Sequence, residues 1–116
     1  MVVDTAPPER ADLIFAALGD RTRRDILSLV LVGEHSVSGL ARRFPMSFAA
    51  VQKHVAVLER AGLVVKRREG REQRVSGNLT ALQEAQHLLE ELAGLWRSRI
   101  ERIGGILAGP EEGARP

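Results

Sequence analysis

The sequence predicts a mainly α-helical domain that carries one short β-hairpin and ends in a long helix. Three observations predict it. Apolar residues recur at helical spacing in four short stretches, and Gly or Pro closes each of them. Around Glu69-Gly70-Arg71 the pattern changes to β-branched residues on both sides of a turn. From Leu79 onward the helical spacing returns and runs to Leu107.

The elements follow in order. Leu13, Ile14, Ala17 and Leu18 form a first helical stripe that stops at Gly19. Asp20 is placed to cap a second helix, in which Ile26, Leu27, Val30 and Leu31 pack inward before Gly33 ends it. Ser36 caps a short third helix with Val37, Leu40, Ala41 and Phe44 on one face. Gly39 stands at its third position, where an acid would complete a capping box, so this helix should be weakly held. Pro45 stops it, three residues from Pro45 to Ser47 form a turn, and Ser47 caps a fourth helix that Gly62 terminates. The hairpin is LVVKRREGREQRVS. Asn78 or Thr80 caps the last helix, Thr80 with Gln83 as a capping box, and Gly104-Gly105 frays its end. Residues 1–8 and 108–116 read as disordered flanks of one domain spanning 9–107.

A chain of 116 residues supports one small core. Without cysteine it can hold neither a disulfide nor a thiolate metal site. No apolar run reaches the roughly 18 residues that a membrane span needs. The N-terminus has acids and prolines where a signal peptide needs a basic start and an apolar stretch, so a cytoplasmic protein is expected. The absence of Cys and Tyr, and three His on different elements, leave no nucleophile–base or paired-carboxylate arrangement, so no catalytic residue and no cofactor are expected.

The net charge of +2 hides a segregation. Between Val37 and Ser76 nine Lys or Arg face three acids, giving +6, whereas each flank carries four basic and six acidic residues, giving −2. A basic centre between acidic flanks points to a polyanionic partner for the centre alone.

The fourth helix sharpens that reading. Val51, Val55 and Leu58 make its core stripe, while the other side offers Ala49, Gln52, Lys53, Ala56 and Arg60. Two short helices, a tight turn and a basic hairpin make a helix-turn-helix with a wing, whose second helix fits the DNA major groove. Alanines at 49 and 56 let the backbone approach base edges. Gln52 can pair with adenine and Lys53 with guanine. Ser47, Phe48 and Ala49 open the helix at the end suited to a phosphate. In the wing, Arg67, Arg68, Arg71 and Arg74 surround the Gly turn, and Arg71 can enter the minor groove. Arg67 and Arg68 must point to opposite sides of their strand, so only one of them serves a given face. His54 lies at the edge of the core stripe, as a packing residue or a phosphate contact. His35 carries no assigned role.

These residues also carry a resemblance. DLIFAALGDRTRRDILSLV, SVSGLARRF, MSFAAVQKHVAVLERAGLV and VVKRREGREQRV together resemble the ArsR-type winged-helix repressors of bacteria, across about Leu13 to Ile106. The resemblance implies a homodimer joined through its first and last helices, two recognition helices on a palindromic double-stranded operator, and relief by an effector. Leu13, Leu88, Leu92, Leu95, Trp96 and Ile100 are the expected interface residues, the last five giving one helix more apolar surface than a short core covers.

The chain departs from that family at its metal sites. Where many members carry Cys-x-Cys it has Ser36-Val37-Ser38, and hydroxyls are poor ligands for soft metals. His87 and Glu90 match half of a second pattern, but the other half falls on Arg74 and Ser76. No metal is therefore expected, and no effector is assigned. Two other readings stay open: a winged-helix module that binds protein, and a regulator with a His/carboxylate metal site across the dimer.

Overall fold

The structure is a computed structural model and describes residues 8–108. Its elements are α1 (Pro8–Leu18), α2 (Arg21–Val32), β1 (His35–Ser36), α3 (Val37–Ala41), α4 (Phe48–Arg60), β2 (Val64–Glu69), β3 (Glu72–Gly77) and α5 (Leu79–Ala108). The expected disordered flanks lie outside the described residues, apart from Pro8 and Ala108, which are the end residues of α1 and α5.

The caps form as the sequence predicts. Asp20 accepts from the Arg23 amide at 3.0 Å, Ser36 from Gly39 at 2.9 Å, and Ser47 from Ala50 at 3.1 Å. Each satisfies one of the amides that a helix start leaves without a partner. At the end of α4 the Leu63 amide reaches the Leu58 carbonyl and the Gly62 amide reaches Glu59, the paired bonds of a Schellman motif. Gly62 sits at φ 79, a left-handed conformation that glycine adopts without steric cost.

Four features differ from the expectation or settle a choice it left open. First, α3 stops at Ala41, so six residues rather than three separate it from α4. The Arg43 amide bonds the Leu40 carbonyl at 3.0 Å and closes the helix early. Pro45 disfavours a helical conformation at Phe44, which packs on the core from the turn instead. Second, His35 and Ser36 form a strand that pairs with β3, giving an antiparallel sheet in the order β1-β3-β2. A two-residue strand leaves no periodicity to read. Third, the Asn78 side chain accepts from the Thr80 amide at 3.2 Å, so Asn78 opens α5 and Thr80 lies inside it. The same side chain donates to the Gly62 carbonyl at 2.9 Å and ties α5 to the end of α4. Fourth, α5 continues through Gly104-Gly105 to Ala108. Each glycine costs roughly 1 kcal/mol in a helix interior but does not forbid one.

The chain divides into two compact units, the first ending at Ala85 and the second starting at Gln86. The first holds the core: Ile14, Ile26, Leu40, Val51, Leu58, Leu63 and Val75 are all fully buried. Leu31, expected inside, is 39% exposed. It lies over the end of β3, where a Cβ on Gly77 would come within 2.5 Å of its side chain. The second unit is a stretch of α5 on which Leu89, Leu92, Trp96, Ile100, Ile103 and Leu107 recur at intervals of three and four, every one of them exposed.

Candidate nucleic-acid interface

The two sides of α4 separate as the sequence predicts. Val51, Val55 and Leu58 are buried, whereas Ser47, Phe48, Ala49, Gln52, Lys53 and Arg60 are exposed and Ala56 is half-buried. Buried apolar contacts therefore hold the helix from one side only. The strip of short alanines with Gln52 and Lys53 stands clear at the surface.

His54 belongs to the other side. Its Nδ1 lies 3.4 Å from Arg23 Nη1 and 3.9 Å from Asp20 Oδ2. Arg23 itself reaches back to α1, donating from Nε to the Ala17 carbonyl at 2.8 Å and from Nη2 to Ala16 at 3.0 Å. Arg24 donates to the Leu18 carbonyl at 2.7 Å. Two arginines thus satisfy the Ala17 and Leu18 carbonyls that the last turn of α1 leaves open, and Arg23 adds a second bond to the Ala16 carbonyl, which already accepts from the Gly19 amide at 3.1 Å. The stretch GDRTRRDIL is accordingly a corner-building motif. The amide of Arg23, and then its charge, hold the Asp20 carboxyl below the usual range.

The wing has two unlike faces. Gly70, at φ 63, takes the first position of the two-residue turn, where primed hairpin turns need a positive φ. Arg67 pairs across the strands with Arg74, and Arg68 with Gln73, so by alternation the two pairs lie on opposite faces. On the first face Glu34, in the loop before β1, accepts two bonds from Arg67 at 3.0 Å and one from Arg74 at 3.3 Å. Glu72 lies 3.4 Å from Arg74, and Glu69 approaches both arginines at 3.9 and 3.7 Å. Hydrogen bonds from Arg67, then Arg74, hold the Glu34 carboxyl below the usual range, and the Arg74 guanidinium is correspondingly raised. The second face is shared with α4: Lys66, two residues before Arg68, reaches Glu59 of α4 at 3.4 Å. Arg68 and Arg71 are exposed and have no acidic partner among the described residues.

Of the ten residues assigned to DNA from the sequence, Ser47, Phe48, Ala49, Gln52, Lys53, Arg68 and Arg71 present open side chains. Arg67, Arg74 and His54 are engaged within the protein. Arg42 and Arg43, exposed at the end of α3, were counted in the basic centre without a role, although the first helix of such a motif crosses the DNA backbone. Glu34 left no local signal, because only the sheet register brings it to the arginines.

The His87 and Glu90 half-pattern does not close. His87 Nε2 faces Glu91 at 3.5 Å, one turn along, and Glu90 pairs with Arg97. Among the described residues no group of three His, Cys, Asp or Glu is gathered to hold a metal. No helix among them is long and apolar enough to cross a membrane.

Two helices across a turn, an outward strip on the second and a three-stranded sheet ending in a basic hairpin define a winged helix-turn-helix DNA-binding protein. Residues 20–66 match the model for bacterial regulatory proteins of the arsR family. The transcriptional repressor SdpR of Bacillus subtilis (strain 168) is 32% identical over 72 residues, which are 62% of this chain and 80% of that protein. A crystal structure of an ArsR family transcriptional regulator superposes with a TM-score of 0.76 at 32% identity, covering 81% of this chain and 97% of that one. The ArsR-like transcriptional regulator from Rhodococcus sp. RHA1 gives 0.73 at 35% identity, over 82% and 90% of the two chains. The chain belongs to the ArsR family and is a DNA-binding transcriptional regulator.

Proposed function

We propose that the protein is a homodimeric, cytoplasmic repressor without catalytic activity, which binds a palindromic operator through α4 and the wing. The outward strip of α4 carries this reading: Ala49, Gln52 and Lys53 are exposed along a helix pinned from behind by Val51, Val55 and Leu58. Ser47 and Phe48 meet phosphate at the helix start, Gln52 and Lys53 read base edges, and Arg68 and Arg71 supply wing contacts. Arg67, Arg74 and His54 hold this surface in shape from within. Self-association is supported by the exposed stripe of α5 containing Leu92, Trp96 and Ile100; Leu88 and Leu95 of the same helix, and Leu13 of α1, are assigned to the interface with it. Two protomers related by a two-fold axis call for two half-sites about one helical turn of DNA apart. The chain has no cysteine, so no thiolate is present to bind an inducing metal.

Nuclease protection on DNA flanking the protein's own gene tests this. The expected result is one protected region with two symmetric half-sites that a scrambled duplex does not compete away. A protein that protects no sequence over the competitor would refute the repressor reading and favour a protein-binding module.

A further inference from the structure

The wing carries four arginines, yet their surroundings divide them into two pairs. Arg67 and Arg74 stand directly opposite each other across β2 and β3, an arrangement of like charges that costs energy unless a counter-ion intervenes. Glu34 is that counter-ion. It comes from the loop before β1, outside the hairpin, and engages both guanidiniums at 3.0 and 3.3 Å. With Glu69 and Glu72 alongside, this face holds two positive and three negative charges. A phosphate approaching it would have to displace a carboxylate and then lie beside it. The opposite face carries Arg68 with Gln73 opposite it, and Arg71 stands at the tip.

We propose that Glu34 is a positioning residue that sets DNA affinity: it withholds Arg67 and Arg74 from the DNA backbone, so that the wing contributes two cations per protomer and not four. This rests on the DNA-binding surface described above. Phosphate contacts strengthen binding to every sequence alike, because they carry no base information. An acid that keeps two arginines off phosphate therefore lowers affinity for operator and non-operator DNA alike and leaves base reading by α4 intact. Glu34 touches no DNA itself; it acts through the arginines.

The test compares Glu34→Gln, Arg67→Ala, the double variant and Arg68→Ala by fluorescence anisotropy. Operator and scrambled duplexes are each titrated over a series of salt concentrations, and thermal unfolding checks every variant. Glu34→Gln should steepen the slope of log K against log salt by about two per protomer, one for each arginine released. It should tighten operator and scrambled DNA alike, by about tenfold or more at 0.1 M salt, leaving the ratio between them unchanged. Arg67→Ala should leave the slope of the parent protein unchanged, yet take back about half of the steepening in Glu34→Gln, where Arg74 stays released. A purely structural role would give weaker binding at an unchanged slope, and that outcome overturns the proposal. So does a flatter slope from Arg67→Ala alone, since the arginine would then already be on phosphate. Arg68→Ala separates the two levels of the account. If it flattens the slope while Glu34→Gln does nothing, only the role of Glu34 fails. If it leaves the slope untouched, the assignment of the wing surface fails and takes the role of Glu34 with it.

Discussion

Arg23 Nη1 lies 3.4 Å from His54 Nδ1, which joins the corner between α1 and α2 to the middle of α4. The guanidinium also holds two carbonyls at the end of α1, so one side chain serves three helices. Replacing Arg23 with Ala leaves the Ala17 carbonyl and the imidazole without this partner, while the Ala16 carbonyl keeps the Gly19 amide. The expected loss is about 1–3 kcal/mol, the cost of orphaning partly buried hydrogen-bonding groups. His54→Ala should cost about 1 kcal/mol, the net worth of one such bond. Urea unfolding checks both. The salt slope of DNA binding by His54→Ala should match the parent, because the imidazole faces inward.

Acid should loosen the fold through two carboxyls. Asp20 is lowered chiefly by the Arg23 amide, and Glu34 chiefly by its bond from Arg67. A carboxyl whose folded value is depressed adds stability above its unfolded value and loses it as pH falls through the folded one. Stability should therefore be flat near neutral pH and begin to fall below the ordinary carboxylate range of about 4. Urea midpoints measured from pH 7 to pH 3 should show this fall, and Asp20→Asn and Glu34→Gln should each make it shallower. An equally steep fall in both variants would assign the acid loss to other groups.

The exposed stripe of α5 should set the oligomeric state. Trp96 is 58% exposed and Leu92 55%, with Arg99 above the indole ring at 5.5 Å. Large apolar side chains repeating along one helix face mark an association surface. Sedimentation should give a dimer at micromolar concentration, and Trp96→Ala combined with Leu92→Ala should shift it toward monomer. A parent protein that sediments as a monomer would remove the basis for a two-fold operator.

Zinc, arsenite and cadmium at micromolar levels should not release operator DNA. His87 faces Glu91, and Glu90 is occupied by Arg97, so the pair suggested by sequence spacing is not assembled. His87→Ala should bind DNA like the parent with and without metal, read by anisotropy. Release by zinc that disappears in His87→Ala would make this helix an inducer site.

Most of the fold was legible in the sequence because its signals are local. Asp20, Ser36 and Ser47 cap within three residues, and the spacing of Val51, Val55 and Leu58 gives the buried side of α4 directly. What stayed hidden depends on partners distant in the chain. Residue 34 meets residues 67 and 74 only because β1 adds to β3, and β1 is too short to announce itself. The same distance hid the engagement of His54 by Arg23, so Arg67, Arg74 and His54, all assigned to DNA from the sequence (His54 with packing as its alternative), are engaged by other side chains of the protein. Composition counts charges, but only the fold pairs them.

The outward strip of α4 is tested most directly by one base-resolved comparison. Gln52→Ala and Arg71→Ala are titrated against the operator and against variants changed one base pair at a time within a half-site. Gln52→Ala should lose roughly 1–3 kcal/mol of discrimination at one base pair per half-site and keep the parent salt slope. Arg71→Ala should weaken all sequences alike and flatten the slope by about one per protomer. A Gln52→Ala protein that keeps the full parent preference at every base pair would contradict the assignment of this helix face as the reading surface.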